Sequence, residues 1–479
     1  MTPTRGALLA IDLGSTAVKV LITDVESGAP RALIRQKSAH QVVGEGGTAE
    51  QDPDAWWRTI VHATNEALAV AGDDTEILGI TAVGHGPTLV PVRADGSAAA
   101  PAMLWSDQRA ASDDAHLAAL LQRSGWLLAE LPKARWFLRE RAEAAGNTAH
   151  LLSTWDALAF RLSGEAVASF WDPARGLTPA DRALLLGAHG GLDERALPPE
   201  VHPGTKIGVL RTEVAEELGL RAGTPVVSGT NDGLAAVVGA GLMHLGRGVD
   251  VGGAAGGVGV SATADTAARI SAHVGAALWS GPAPTPFGDL RILGGALGGT
   301  GLILDEAITN AIARGARPET LMEEVAALPL GEFSLGSAAS ETFGGVQRVR
   351  AAAERGALAV EALLAPARAA GLPLNEMWLS GPATGATVGL HTTETHVPRG
   401  IRQMRADLLG VPVVVPRIAE AAAAGAAAIA GVGAGIYASL REAADVLAVS
   451  AERIDPDPGN QSAADSTRAR YARGGAARS

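Results

Sequence analysis

The sequence predicts an α/β protein of two domains. Three observations carry this. Apolar runs of strand length alternate with amphipathic runs of helix length, the arrangement that covers sheets with helices. At 479 residues the chain exceeds the usual size of one domain. A glycine-turn hairpin pattern near the N-terminus returns about halfway along, as two halves of similar design would give.

The first pattern is Ala10-Ile11-Asp12-Leu13-Gly14-Ser15-Thr16-Ala17-Val18-Lys19-Val20. The apolar run Ala7 to Ile11 reads as a buried strand, and Val18 to Ile22 as its return. Asp12 puts a carboxylate at the strand end, and Gly14 allows a close backbone turn. Ser15 and Thr16 add hydroxyls beside free N–H groups, and Lys19 adds a cation; such a tip suits a phosphate group. An ordinary hairpin turn would use the same residues. The second pattern runs from Val249 to Val260, with Asp250 where Asp12 stood and Gly252, Gly253, Ala254 and Ala255 at the tip. Two such turns could grip one polyphosphate.

In chain order, residues 7–35 give two or three strands, and Glu50 to Val70 an amphipathic helix with Pro53 near its start. Ile77 to Val83 is a buried strand that breaks at Gly84-His85-Gly86-Pro87-Thr88, and Leu89 to Val92 is a further short strand. Helical patterns follow at 110–123, 132–145 and 151–162. Pro225 to Ser228 is a strand that runs into Gly229-Thr230-Asn231-Asp232-Gly233 and a helix to about 240. A glycine cluster, 294–301, leads another helix, and it contributes Gly295, Gly298 and Gly299 as backbone contacts. Arg348 to Ala369 is a long helix, Met377 to Leu379 a strand ending in Ser380-Gly381-Pro382-Ala383, and Pro412 to Val415 a strand. The expected division is 1–246, 247–450 and a disordered tail, 451–479.

Composition narrows the function. Hydrophobic residues make up 47%, which supplies ample core. The net charge of -12, with no Lys/Arg block outside the tail, argues against a nucleic-acid backbone as partner. No cysteine is present, so disulfides and thiolate metal sites are excluded. The uncharged stretch 421–440 has the length of a membrane span, but it is mostly Ala and Gly and reads as a closely packed soluble helix. No signal-peptide pattern opens the chain, which leads to an expected cytoplasmic location.

Asp232 is the candidate catalytic residue: a carboxylate between a strand and a helix can take a proton from an alcohol attacking phosphorus. A helix N-cap would explain the same residue locally. His85, Trp105, Asp107 and Arg109 suit a polyhydroxylated ligand by type, although a turn histidine and a core tryptophan are the plain alternatives. Only four lysines exist, Lys19, Lys37, Lys133 and Lys206, so phosphate charge must fall mainly on amides, arginines and Mg²⁺. No Gly-Lys-Ser/Thr follows the first turn, which excludes a Walker A loop. His391 and His396 lack metal-ligand spacing, and no structural metal is expected.

Together these residues resemble the FGGY family of carbohydrate kinases, xylulokinase-like members in particular, from about Leu8 to Val449. Asp12-Leu13-Gly14-Ser15-Thr16 with Lys19 is similar to the family's first phosphate motif. Gly84-His85-Gly86 through Trp105-Ser106-Asp107-Gln108-Arg109 is similar to its sugar-site region, and Arg161-Leu162-Ser163-Gly164-Glu165 to a Leu-Thr-Gly segment. Gly229-Thr230-Asn231-Asp232 matches the segment with the catalytic base. Ser380-Gly381-Pro382-Ala383 stands where the adenosine motif lies, and residues 420–426 match the helix after it. The resemblance implies two domains of the actin/hexokinase (ribonuclease H-like) type with an interdomain cleft. It implies ATP and Mg²⁺, with Asp12 holding the metal through water and Asp232 as the base. Sugar binding falls to His85, Trp105, Asp107 and Asp232; nucleotide binding falls to the two glycine turns, the 294–301 cluster and Gly381, Pro382 and Ala383. A homodimer is the ordinary expectation for such an enzyme.

Two departures accompany the match. The usual Gly-Thr-Ser-Gly of the second phosphate motif is Gly253-Ala254-Ala255-Gly256, and two glycines of the adenosine motif are Pro382 and Ala383. Pro382 cannot donate an N–H. The expected activity is phosphorylation of a pentulose such as xylulose. The alternatives are another ketose, polyol or aldonic acid (ribulose, erythritol, glycerol, gluconate), or a catalytically weak sugar/ATP sensor.

Overall fold

The computed structural model describes residues 5–38, 41–172, 175–251, 256–275, 278–281, 289–333, 343–381 and 398–476. The chain forms two compact units, Met1–Gly239 with Ala422–Leu447, and Ala240–Ala421 with Ala448–Ser479.

In the first unit the apolar run before Asp12 becomes the strand Arg5–Leu13, buried without a break from Ala7 to Leu13. Its continuity follows from its central place. It pairs antiparallel with Ala17–Asp24 on one edge and parallel with Thr75–Gly84 on the other, and its unbroken burial shows that both faces are covered as well. The six-stranded sheet runs Lys206–Val209, Pro225–Val227, Thr75–Gly84, Arg5–Leu13, Ala17–Asp24, Pro30–Lys37. The helix Pro53–Ala71 starts where Asp52 accepts a hydrogen bond from the Asp54 N–H and proline takes the first helical position. It buries Trp56, Trp57, Ile60, Ala63 and Ala67 in the core of this sheet. A separate cluster around Leu89, Leu117, Phe137 and Leu185 supports the helices Ala111–Leu121 and Leu131–Glu140.

The second unit repeats the plan. Its sheet runs Trp279–Gly281, Leu290–Ala296, Gly257–Thr263, Arg247–Val251, Glu376–Ser380, Val413–Pro416, Ser450–Ile454. Around Arg247–Val251 the neighbours are antiparallel on the hairpin side and parallel on the other. Arg5–Leu13 has the same surroundings, so the repeated sequence pattern marks a repeated sheet.

The structure corrects three expectations. The division is not contiguous: the small-residue helix Ala421–Gly433 and the helix Leu440–Leu447 belong with the first unit, apart from Ala421. The small residues explain this placement, because a side chain at Gly425 would overlap the Ala235 carbonyl, and the Tyr437 hydroxyl donates to the Val25 carbonyl at 2.8 Å. No helix among the described residues is long and apolar enough to cross a membrane.

Residues 451–476 are ordered and do not form a loose tail. Ser450–Ile454 completes a sheet edge, and the helix Gln461–Ala476 buries Ala464 and Thr467. Arg468 donates to the carbonyls of Asp407 and Leu408 at 3.0 and 2.9 Å, which satisfies the open end of the helix Arg399–Leu409. Polar composition concealed these contacts. Finally, Gly294 and Gly295 lie inside the strand Leu290–Ala296 and do not lead a helix.

The close approach at Gly425 yields a stability prediction. Gly425→Val is expected to lower the thermal transition of the first unit, with an overpacking cost of about 2 kcal/mol. Gly146→Ala, whose added carbon meets nothing within 4 Å, is the control and should leave that transition in place. Equal calorimetric transitions for the two variants would refute the packing.

Candidate active site

The site of the first unit grows from one row of backbone pairs. Leu13 pairs with Gly84, and Gly84 pairs with Asn231, all at the carboxyl ends of parallel strands. Ligands of open α/β sheets bind at such ends. The Gly84 N–H donates to the Thr230 carbonyl at 3.3 Å, and the His85 N–H to the Leu13 carbonyl at 3.0 Å.

Asp12 is 1% exposed and faces Lys19 across the hairpin, with Nζ 2.9 Å from Oδ2. Its Oδ1 is buried without a hydrogen-bond partner. That oxygen fits a water of a bound metal ion, since an orphaned buried carboxylate oxygen is otherwise costly. Among the described residues, no group of three or more His, Asp or Glu could hold a metal directly. At the hairpin tip the Gly14 N–H donates to the Ala17 carbonyl at 3.0 Å, Ser15 is half-buried and Thr16 is exposed.

Asp232 opens the helix Asp232–Gly239. Asn231 does the capping: its Oδ1 accepts from the N–H groups of Gly233 and Leu234 at 2.9 and 3.4 Å. Asp232 Oδ1 also accepts from the Gly233 N–H, at 2.8 Å. Burial and the like charge of Asp12 push the Asp232 carboxyl up to about 6, against the pull of Lys19. A carboxylate held there accepts a proton readily and still ionises below neutrality.

His85 is 3% exposed, with Nδ1 3.0 Å from the Thr88 hydroxyl and its ring edge-on to Trp56 at 5.4 Å. Nε2 has no hydrogen-bond partner. Burial pushes the imidazole down to about 4, so it is neutral at pH 7.

Asp107 departs from expectation. Both its oxygens are occupied, by the Ala49 N–H at 2.9 Å and by Arg109 through N–H, Nε and Nη2 at 2.6–3.1 Å. Arg109 in turn donates to Glu50 at 2.6 Å. Burial pushes the Asp107 carboxyl up, but these bonds prevail and hold it below the usual range. Asp107 therefore clamps the 47–50 segment, and its lone pairs are taken. Trp105 is 50% exposed, which sets aside the core reading. Among the described residues, no hydrogen bond or ring contact joins it to Asp12, His85 or Asp232.

Several residues at the site escaped the sequence reading. Lys133 is buried and donates to the Pro87 carbonyl at 3.2 Å, bracing the His85 loop. Burial pushes its ammonium down, while Asp107 and Glu130 pull the other way. Thr154 donates to the His85 carbonyl at 2.8 Å. The expected helical pattern 151–162 includes Thr154 but does not show what it holds; the helix itself runs Thr154–Ser163 with Ser153 as its cap.

In the second unit Gly298 and Gly299 have φ of 65° and 82° and lead the helix Thr300–Ala313, whose first turn has no side-chain cap. Backbone donors are thus open at that end. Gly295 has a packing role, because a Cβ there would come 2.6 Å from Leu363. Gly381 follows the strand Glu376–Ser380 and donates to the Ala419 carbonyl at 2.8 Å. Gly252, Gly253, Ala254, Pro382 and Ala383 lie outside the described residues. Asp250, the counterpart of Asp12, is buried against Arg405.

Residues 7–239 match the N-terminal domain of the FGGY family of carbohydrate kinases. A glycerol kinase of Bordetella pertussis is 29% identical over 503 residues, covering 91% of this chain and 90% of the relative. A xylulose kinase of Streptomyces rubiginosus is 30% identical over 262 residues, 50% of this chain and 52% of the relative. The crystal structure of xylulose kinase from Rhodospirillum rubrum superposes with a TM-score of 0.72 at 22% identity, over 97% of each chain. That likeness shows the two-domain actin/hexokinase-type fold.

His85 supplies a test of the burial in this site. An unfolded histidine protonates near 6.5 and the folded one near 4, so its contribution to stability shrinks as pH falls through that window. Carbon-13 labelling of histidine should show one imidazole that stays neutral down to about pH 4 and vanishes in His85→Gln; an ordinary titration for that signal would contradict the site.

Proposed function

Through residues 7–239 the chain belongs to the FGGY family of carbohydrate kinases, and on that premise we propose that it moves the γ-phosphoryl group of ATP to a pentulose such as xylulose. The observation that carries the mechanism is the carboxyl of Asp232, raised to about 6 beside Asp12 and Lys19 at the ends of the parallel strands. At neutral pH it is largely ionised. It removes the proton of the acceptor hydroxyl as that oxygen bonds to the γ-phosphorus and the bond to the β-bridging oxygen breaks, leaving ADP. A Mg²⁺ ion arriving with the nucleotide would neutralise charge that builds on the phosphate oxygens. Asp12 Oδ1 would hold one of its waters, and Lys19 fixes the other Asp12 oxygen.

In the first unit the Gly14-Ser15-Thr16 tip offers amides and hydroxyls to phosphate. In the second, Gly298 and Gly299 offer backbone N–H groups to the nucleotide, and Gly381, whose N–H is taken by the Ala419 carbonyl, lets the chain pass close to it. His85, neutral and with a free Nε2, is assigned to an acceptor hydroxyl, as a donor or acceptor according to tautomer. Trp105 presents an aromatic face to the sugar carbons, and Asp107 acts through its clamp on Arg109 and Glu50. A polyol acceptor is the second reading. It is favoured by the glycerol kinase match, which spans 91% of this chain.

Coupled ADP release with Mg-ATP against ketoses, polyols and aldonic acids tests both readings. Xylulose is expected to give the highest kcat/KM, with glycerol next. Silence across the panel, with sugar binding retained in calorimetry, would replace the kinase reading with a binding one. Asp232→Asn is expected to keep sugar binding and lose about 10³-fold in kcat, within the range ascribed to general bases. In the wild type kcat should rise with pH through about 6 as Asp232 ionises. The folded carboxyl holds its proton above its ordinary 3.8, so ionisation costs stability as pH rises through about 6. Asp232→Asn should therefore also melt higher than wild type at neutral pH.

A further inference from the structure

Asp156 lies 2% exposed in the first turn of the helix Thr154–Ser163. It carries no substrate role in the mechanism above, yet a chain of short contacts runs from it to the segment that holds Asp232. Its Oδ2 receives the Ser153 hydroxyl at 2.7 Å, and the Ser169 N–H is 3.2 Å from each of its oxygens. Its Oδ1 is 2.8 Å from the Ser169 Oγ, and that same Oγ is 2.7 Å from the Gly229 carbonyl oxygen.

Proton counting decides the state of this chain. A serine hydroxyl has one proton, and a carbonyl can only accept. If Ser169 donates to Gly229, the contact with Asp156 Oδ1 needs a proton from the carboxyl. If Asp156 is ionised, it draws the Ser169 proton to itself, and the Gly229 carbonyl loses its donor. Only the neutral acid satisfies every contact.

The Gly229 carbonyl is three residues from Asp232, in a segment with no slack. A side chain at Gly229 would overlap the Ala82 carbonyl, and the next carbonyl, of Thr230, accepts from the Gly84 N–H. The Ser169 bond is thus one of the contacts that fix the turn carrying the base.

We propose that Asp156 is a positioning residue for phosphoryl transfer, held as the neutral acid so that Asp156 Oδ1–H donates to Ser169 Oγ and Ser169 Oγ–H donates to the Gly229 carbonyl. The assignment rests on Asp232 as the base. Burial, with the charge of Glu130, pushes the Asp156 carboxyl up to about 7 against the downward pull of the Ser153 and Ser169 hydrogen bonds. Glu130 is partly offset by Arg175 at 3.6 Å, and His85, the titratable group of the 84–88 loop, is neutral.

Three variants and a pH profile test this. In the wild type kcat should fall above about pH 7 as Asp156 ionises, by about fivefold for one lost hydrogen bond. Asp156→Asn keeps an N–H for Ser169 and an acceptor for Ser153. It should rescue turnover and abolish the alkaline fall, while the acid limb near pH 6 that belongs to Asp232 stays. Ser169→Ala should lose about fivefold in kcat at every pH, with KM for ATP unchanged. Asp156→Leu should do the same where it folds, as judged by its melt. An alkaline limb that persists in Asp156→Asn, or full turnover in Ser169→Ala, overturns the proposal. Loss of the acid limb in wild type would instead refute Asp232 as base, and the two failures are separate.

Discussion

The site depends on the registered ends of three parallel strands. Leu13, Gly84 and Asn231 lie in one row, so Asp12 just before the row and Asp232 just after it enter each other's field. The spacing is that of backbone hydrogen bonds, and it tolerates little drift. A side chain at Gly84 would come 2.7 Å from Thr154, and one at Gly229 would overlap the Ala82 carbonyl. A slip of one residue in Arg5–Leu13 would turn Asp12 to the opposite face and bury Ile11 or Leu13 where the carboxylate belongs. The unbroken apolar stretch from Ala7 to Ile11 is thus the reason a charged residue can be aimed so closely.

The two carboxylates divide their roles through their partners. Asp12 has Lys19 on one oxygen and, among the described residues, no hydrogen-bond donor on the other, which leaves a buried acceptor. Asp232 is pushed up by burial and by the charge of Asp12, against the pull of Lys19, so it holds a proton more tightly than a free carboxylate would. The second unit shows the same architecture with the chemistry cancelled. Asp250 occupies the equivalent strand position, but Arg405 meets it in a fully buried pair. A buried acid with a dedicated cation is a structural element; removing either partner would strand a charge. Repetition of the sheet therefore does not imply repetition of the site.

Features that depend on local sequence were legible in advance. The hairpin, the helix 53–71, the strand before His85 and the strand-turn-helix around Asp232 follow from apolar periodicity, Pro53 and glycine placement. Features that depend on distant partners were not. Asp107 reads as a sugar ligand until Ala49 and Arg109, itself held by Glu50, are brought to it. Residues 451–476 read as a tail because their composition is polar, yet Ser450–Ile454 finds an open strand edge and Arg468 finds open carbonyls. The segment 422–447 returns to the first unit because small residues let helices approach, a reason that names no partner in the sequence. Asn231 and Asp232 are both good caps, and only the geometry shows that Asn231 holds both N–H groups.

The helix Thr154–Ser163 shows how one rigid element can set a site that it does not itself form. Thr154 holds the His85 carbonyl, Trp155 lies against Gly86 and donates to the Ser169 carbonyl, and Asp156 holds the Ser169 hydroxyl. These are successive residues, so their side chains diverge around the helix and reach different segments. The segment with His85 and the segment with Asp232 are thereby referred to the same first turn, itself fixed by Ser153 as N-cap. Two loops tied to one turn cannot drift independently. Distances between an acceptor-binding group and a base must hold to a fraction of an ångström for a reacting oxygen to lie between them. A common anchor buried in the core meets that demand better than contacts between the loops would, because ligand entry would disturb the latter and leaves the former untouched.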